Sequence, residues 1–282
     1  MLKVVLYGVG SSYQKFKEIN SSLIDIVALV DSYKSGKQID GYIVKNIDEI
    51  LEMNIEYDYI ISCSEYSSEI RKLLIQKNID ENKIINYFGY HNILNLLKIK
   101  ENRNIIGNDI TIISNHCWGA YLYKLLGIQY NSPFIWLSVE DNDYKKLVSN
   151  FNEYMDNVNS LEVIFDEKLG YPVGTLKDIK LQFIHYKTCD EAYEKFISRA
   201  LKINKDNILL ECTTSNKDII ETILTSNFQK KLIITDIEYK SNNVHSFTGW
   251  REIARNKNIS KFSDFVLNCS FDYIDLNKII NN

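Results

Sequence analysis

At 282 residues the chain exceeds the usual size of one domain, so two domains are expected. A composition of 45% hydrophobic and 25% charged residues with a net charge of −4 supplies sizeable cores and no basic footprint, which argues against nucleic-acid and acidic-membrane partners. Two prolines exclude Pro-rich linkers. Five scattered cysteines without a CxxC pair signal neither a zinc site nor a disulfide framework, and free thiols fit a reducing compartment. The start from Met1 to Gly8 is too short and polar-interrupted for a signal peptide. No apolar run approaches the roughly 18–20 residues that cross a bilayer, so a cytoplasmic protein is expected.

Val4 to Tyr7 is a β-branched and aromatic run that ends in Gly8-Val9-Gly10-Ser11-Ser12-Tyr13, which reads as strand, glycine turn and helix. Glycines there let a backbone approach a phosphate at a helix N-terminus, where unpaired N–H groups favour anions. A second strand, Ile26 to Val30, ends in Asp31, at the spacing where an acidic residue holds a ribose hydroxyl. Gly8, Gly10, Ser11 and Asp31 are therefore the candidate nucleotide contacts. Tyr13 stands where the third glycine of the full fingerprint belongs, so a degenerate domain that only scaffolds or dimerises is the competing reading. Strands Tyr59–Cys63 and Lys83–Tyr87, with a helix carrying Ile70, Leu73 and Leu74 between them, complete a parallel, Rossmann-like α/β unit.

The first 90 or so residues also resemble a sugar-nucleotide-associated domain common in polysaccharide-biosynthesis proteins. The residues that carry this are the Val-Leu-Tyr-Gly-Val-Gly start, Val27–Asp31, Ile39–Val44, and Asp58–Ser64 followed by Glu69-Ile70. The resemblance implies a module that precedes a sugar-modifying domain.

His91–Lys100 has helical spacing, Glu101–Asn104 reads as a polar break and Gly107-Asn108-Asp109 as a turn, so the boundary is placed near residue 103: a first domain over 1–103 and a second over 104–282. The second again alternates strands with helices. Strands are expected at Ile110–Ile113, Pro133–Leu137, Ile179–Ile184, Asn207–Cys212 and Leu232–Ile234. One helix is expected to carry Tyr144, Leu147, Val148, Phe151, Tyr154 and Met155 on a single face, with others over Glu191–Lys202 and Asp218–Leu224.

Polar clusters follow the carboxyl ends of these strands: Ser114-Asn115-His116-Cys117, His185-Tyr186, Thr213-Thr214-Ser215 and Thr235-Asp236. Ligands of open α/β sheets bind outside those ends, so a cleft shared by His116 and His185 is expected there. Each candidate has a structural alternative. Cys117 next to His116 is either a nucleophile or a buried thiol, and adjacent residues on an extended chain point opposite ways. His185 is either a general base or a hydrogen-bonded structural histidine. Arg199 is either a phosphate clamp or a solvated helix residue. His245 and Trp250 lie in a segment suited to sugar stacking or to plain loop packing. No HxH, DxD or clustered spacing points to a metal, and Asp141-Asn142-Asp143 reads as a helix start.

Ile113–Gly119, Tyr130–Phe134, Tyr171–Gly174 and Phe183–Tyr186 occur in that order, followed by Arg199 and Ile203–Asn207. Over residues 105–250 the chain resembles a bacterial family of unknown function labelled exopolysaccharide (capsule) biosynthesis protein. The resemblance implies a role in making or decorating surface polysaccharide. The expectation is an α/β transferase that uses a nucleotide-activated sugar or a related phosphorylated donor. In it His185 acts as general base, Asn115 and Ser132 line the cleft, and His116, Tyr186, Arg199, His245 and Trp250 contact substrate. The rivals are a non-catalytic nucleotide-sugar-binding scaffold or sensor, and an NAD-dependent sugar oxidoreductase, which Tyr13 disfavours. The expected ligand is a nucleotide or sugar; a homo-oligomer is left open.

Overall fold

A computed structural model describes residues 1–255, 257 and 259–280, with the backbone alone for Asn104, Ile105 and Ile280. The protein is α/β, built on two parallel sheets. It divides into two compact units, Met1–Arg103 with Tyr123–Gln129, and Asn104–Leu122 with the chain from Tyr130 onward. No helix among the described residues is long and apolar enough to cross a membrane.

In chain order the first unit contains β1 (Leu2–Tyr7), α1 (Ser11–Asn20), β2 (Ile24–Val30), the short hairpin β3 (Gln38–Ile39) and β4 (Tyr42–Ile43), and α2 (Ile47–Glu52). These are followed by β5 (Tyr59–Ser62), α3 (Ser67–Gln76), β6 (Ile84–Asn86) and α4 (Ile93–Ile106). Its sheet runs β2-β1-β5-β6, all parallel. Val4, Val5 and Leu6 have no exposed surface, as expected of a strand covered on both faces. The chain leaves β1 in one direction and resumes at β5 on its other side, which makes a topological switch point beside Gly8. Gly8 takes φ +96°, and a Cβ there would lie 3.0 Å from the Cys63 carbonyl oxygen, so the turn needs glycine. Tyr13 is fully buried and its hydroxyl donates to Asp40 Oδ2 at 2.6 Å. A buried aromatic ring thus stands where the full fingerprint has a glycine for close helix–strand packing.

The chain continues with β7 (Thr111–Ser114), α5 (Trp118–Leu126), which is divided between the units at Tyr123, and, in the second unit, α6 (Asp141–Ser149), α7 (Phe151–Asp156), β8 (Glu162–Asp166), β9 (Tyr171–Leu176), β10 (Ile179–Gln182) and α8 (Cys189–Ala200). Then come β11 (Ile208–Thr213), α9 (Lys217–Thr225), β12 (Lys230–Thr235), β13 (Val244–Ser246), α10 (Trp250–Ala254), α11 (Phe262–Cys269) and α12 (Leu276–Ile280). The parallel sheet runs β13-β12-β11-β7, each new strand being added on the same side. One face, with Ile113, Leu210, Cys212 and Ile233, packs into a core with Tyr144, Phe151, Phe183 and Phe196. On β7 the other face is approached by α5: a Cβ on Gly119 would lie 2.9 Å from the Ile112 side chain.

Four expectations need correction. Pro133–Leu137 is not a strand. Phe134, Ile135 and Leu137 are all buried rather than alternating, Trp136 takes φ +61°, and only Ser138 pairs, antiparallel, with Gln182. The segment at Ile179 forms β10 of a separate antiparallel sheet, order β10-β9-β8, so His185 does not follow a strand of the parallel sheet. The helix expected across 144–155 breaks at Asn150 (φ −131°, ψ 35°) into α6 and α7. The polar stretch Glu101–Asn104 is helical, lying inside α4, because Asn102 is buried and Arg103 pairs with Glu81 rather than with solvent.

Candidate functional site

The carboxyl edge of the second sheet gathers the polar residues of β7 and β11 into a closed network. Asn115 donates from Nδ2 to the Thr213 carbonyl at 2.9 Å and accepts the Thr213 amide on Oδ1 at 3.0 Å. Its side chain therefore extends the strand ladder. Glu211, without exposed surface, accepts from the hydroxyls of Ser114 and, at 2.8 Å, Thr213. Burial pushes its carboxyl up to about 8, although both hydroxyls pull the other way. Tyr144 reaches the Glu211 carbonyl at 2.6 Å from the opposite face. Thr214 donates to Asp141 at 2.7 Å and Ser215 to Asp236 at 2.5 Å. Each of these side chains has its partner in the protein, so the edge is a locked structural element.

His116 and Cys117 lie in the same turn. The Trp118 amide donates to His116 Nδ1 at 3.1 Å, which puts the ring proton on Nε2. Burial lowers this imidazole to about 4 and raises the Cys117 thiol to about 12. Both are neutral at physiological pH, so they form no thiolate–imidazolium pair. His116 Nε2 is buried and lacks a hydrogen-bond partner among the described residues.

A different constellation forms along the outer edge of β7. The irregular segment 131–139 runs beside that strand: Thr111 donates to the Asn131 carbonyl at one end, and Val139 donates to the Asn115 carbonyl at the other. Outside it, partly exposed side chains make a shelf. Trp136 stacks edge-on with His185 (5.2 Å between centroids), tilts against Tyr121 (5.7 Å) and donates from Nε1 to the Tyr130 hydroxyl at 3.3 Å. Arg199 lies 5.1 Å above the Tyr130 ring and donates to the Tyr186 hydroxyl at 2.6 Å. That hydroxyl in turn donates to the Ile135 carbonyl at 2.6 Å. Tyr186 is thus a buried positioning group for Arg199.

Two features set the shelf apart. Arg199, half-buried, has no carboxylate within ion-pair distance among the described residues, whereas arginines removed from water are normally paired. Trp136 holds a left-handed backbone (φ +61°), which for a bulky residue is an outlier of the kind that collects at ligand sites.

The other sequence candidates lie elsewhere. Ser132 has no exposed surface and accepts the Phe134 amide at 3.2 Å, so it shapes the turn. His245 belongs to β13, not to a loop, and sits at the opposite edge of the sheet from β7. Three strand spacings separate them, roughly 14 Å. Burial lowers its imidazole, reinforced by Lys278. Trp250 is 3% exposed and packs on Phe262 and Phe265, so it is core. In the first unit Gly8, Gly10 and Ser11 line the switch point, but Asp31 is occupied. It accepts the amides of Val9 at 3.1 Å, Tyr33 at 2.9 Å and Lys34 at 3.1 Å. Among the described residues no group of three or more His, Cys, Asp or Glu could hold a metal ion.

Sequence reasoning missed Glu211, Trp136, Tyr130 and Tyr121 as site or network residues. Glu211 had a signal: it is the one charged residue in the apolar run Ile208–Thr213, and buried charge is rare enough to require an explanation. Trp136 had none, since a left-handed tryptophan has no sequence signature.

Residues 88–280 match the model of a domain of unknown function, DUF1919, and residues 1–85 match that of the C2185-like N-terminal domain. An uncharacterized protein of Haemophilus influenzae is 28% identical over 185 residues, covering 64% of this chain and 88% of that relative.

Proposed function

This chain belongs to the DUF1919 family, and we propose that it is a transferase of surface-polysaccharide assembly that seats a phosphorylated sugar donor on the Arg199 shelf. The observation that carries this reading is the half-buried guanidinium without a carboxylate partner among the described residues. A planar fork held by Tyr186 and Tyr130 suits bidentate contact with phosphate. Tyr130 and Trp136, both partly exposed, give the shelf an aromatic lining suited to a sugar or base. His185, exposed beside Trp136, is the group placed to accept a proton. In the transfer an acceptor hydroxyl attacks the anomeric carbon, a C–O bond forms and the bond to the donor phosphate oxygen breaks. The hydroxyl proton passes to His185, and the leaving phosphate keeps the electron pair, its charge met by Arg199.

A second reading rests on the first unit. Gly8 and Ser11 flank a switch point of the kind that binds nucleotides, which favours a non-catalytic nucleotide-sugar-binding scaffold. The engagement of Asp31 by three backbone amides weighs against the usual ribose contact there.

The test is incubation of the full chain with nucleotide-activated sugars and hydroxylated acceptors, with released nucleotide measured by ion-exchange chromatography. Turnover is expected, and His185→Ala should lower it by about 10²- to 10⁴-fold while donor binding persists. Binding without turnover of any pair supports the scaffold instead.

A further inference from the structure

A groove of about 870 Å³ opens in the second unit at the amino ends of β11 and β12, between the α6–α7 junction, the loop before β11 and the turn after α9. The helix break at Asn150 makes one wall. Two features give the groove a chemical character.

The first is charge. Its lining carries Glu153, Asp206, Lys205 and Lys230, which sum to zero. Glu153 pairs with Lys177, Lys205 lies 3.5 Å from Asp156, and Lys230 donates to Asn207 at 2.6 Å. No excess of cations awaits a phosphate, in contrast to Arg199. The second is a set of solvent-exposed side-chain amides next to an aromatic surface. The side-chain amides of Asn150, Asn152, Asn227 and Gln229 line the groove and have no partner among the described residues. Each offers two donors and an acceptor, the complement of neighbouring hydroxyls on a sugar ring. Phe228, partly exposed, stands edge-on to Phe151 with centroids 5.6 Å apart, giving an apolar face for ring C–H groups. The volume is that of a site for a drug-sized ligand, the scale of a short oligosaccharide.

We propose that this groove binds a neutral oligosaccharide, as a glycan site separate from the donor shelf. It shares no residue with the shelf and does not depend on the transferase reading. It gives the protein a means of holding an uncharged glycan whether or not transfer takes place at Arg199.

The experiment is calorimetric titration of the full chain with neutral tri- to hexasaccharides of glucose, galactose and N-acetylglucosamine. Asn152→Ala/Asn227→Ala is the variant, both residues being exposed and free of structural bonds. At least one oligosaccharide should bind, and the double variant should weaken it by about tenfold, the loss of roughly two hydrogen bonds. Arg199→Ala should leave that affinity within about twofold, as expected of an independent site. Failure of every oligosaccharide to bind overturns the proposal, as does unchanged binding by the double variant. Loss of donor turnover with oligosaccharide binding intact would sink the transferase reading alone.

Discussion

The carboxyl edge of the second sheet and the shelf along the outer side of β7 are both rich in polar side chains, yet they are built on opposite principles. At the edge Asn115, Ser114, Glu211 and Thr213 satisfy one another. On the shelf the Arg199 guanidinium finds a phenol and an aromatic face but no counter-charge among the described residues. A polar group whose partners lie in the chain stabilises the fold, and one left incomplete is available to a ligand. Substitutions at the edge should therefore move stability, and substitutions on the shelf should move binding.

The largest effect is expected at Glu211. A carboxyl raised from 4.5 to about 8 contributes stability that is fully present below pH 4.5 and is lost as pH rises through 8. The shift corresponds to at most about 5 kcal/mol. Urea unfolding of the wild type should show a falling midpoint from pH 5 to 9, and Glu211→Gln should flatten it. An unchanged slope in the variant would mean that Glu211 is ionised and well solvated. Next in size is Asp31→Ala, which frees three backbone amides. It should cost about 2 kcal/mol of stability and leave donor affinity unchanged; lost affinity would move the donor to the first unit. Trp136→Gly relieves a left-handed backbone while removing a ring, so unfolding should shift by no more than about 1 kcal/mol. Donor binding should weaken by about tenfold, the worth of an aromatic contact. The smallest signal is the His116 proton. With the imidazole lowered to about 4, its ring resonances, assigned by comparison with His116→Gln, should not titrate between pH 8 and 5.5. Its folded value lies below the ordinary 6.5, so the stability it confers is complete above that pH and is lost on acidification toward 4.

Much of the fold was legible because strands such as Val4–Tyr7 and Leu232–Ile234 are apolar runs closed by turn residues, and helices such as α8 carry a one-sided pattern. The antiparallel sheet was hidden: β8 is mostly exposed and offers no alternation to read. Asn150 breaks a helix whose apolar spacing continues across the break, so periodicity alone could not locate the junction. The polar clusters after β7 and β11 were visible as residues. That they are spent on each other is a tertiary fact, since Asn115 and Thr213 stand 98 positions apart. Arg199 and His185 were legible as candidates, but their shared shelf depends on Trp136, whose conformation the run Pro133–Leu137 conceals.

The most direct test is calorimetry of nucleotide-activated sugars against the full chain and its Arg199→Ala variant, at moderate and at high salt. The shelf account predicts that one donor binds and that the variant weakens it by about a hundredfold, the loss of roughly two charge-assisted hydrogen bonds. It also predicts that salt weakens the wild type more than the variant. Equal affinity in the two proteins would contradict it, and would point to the glycine turn at Gly8 as the donor site.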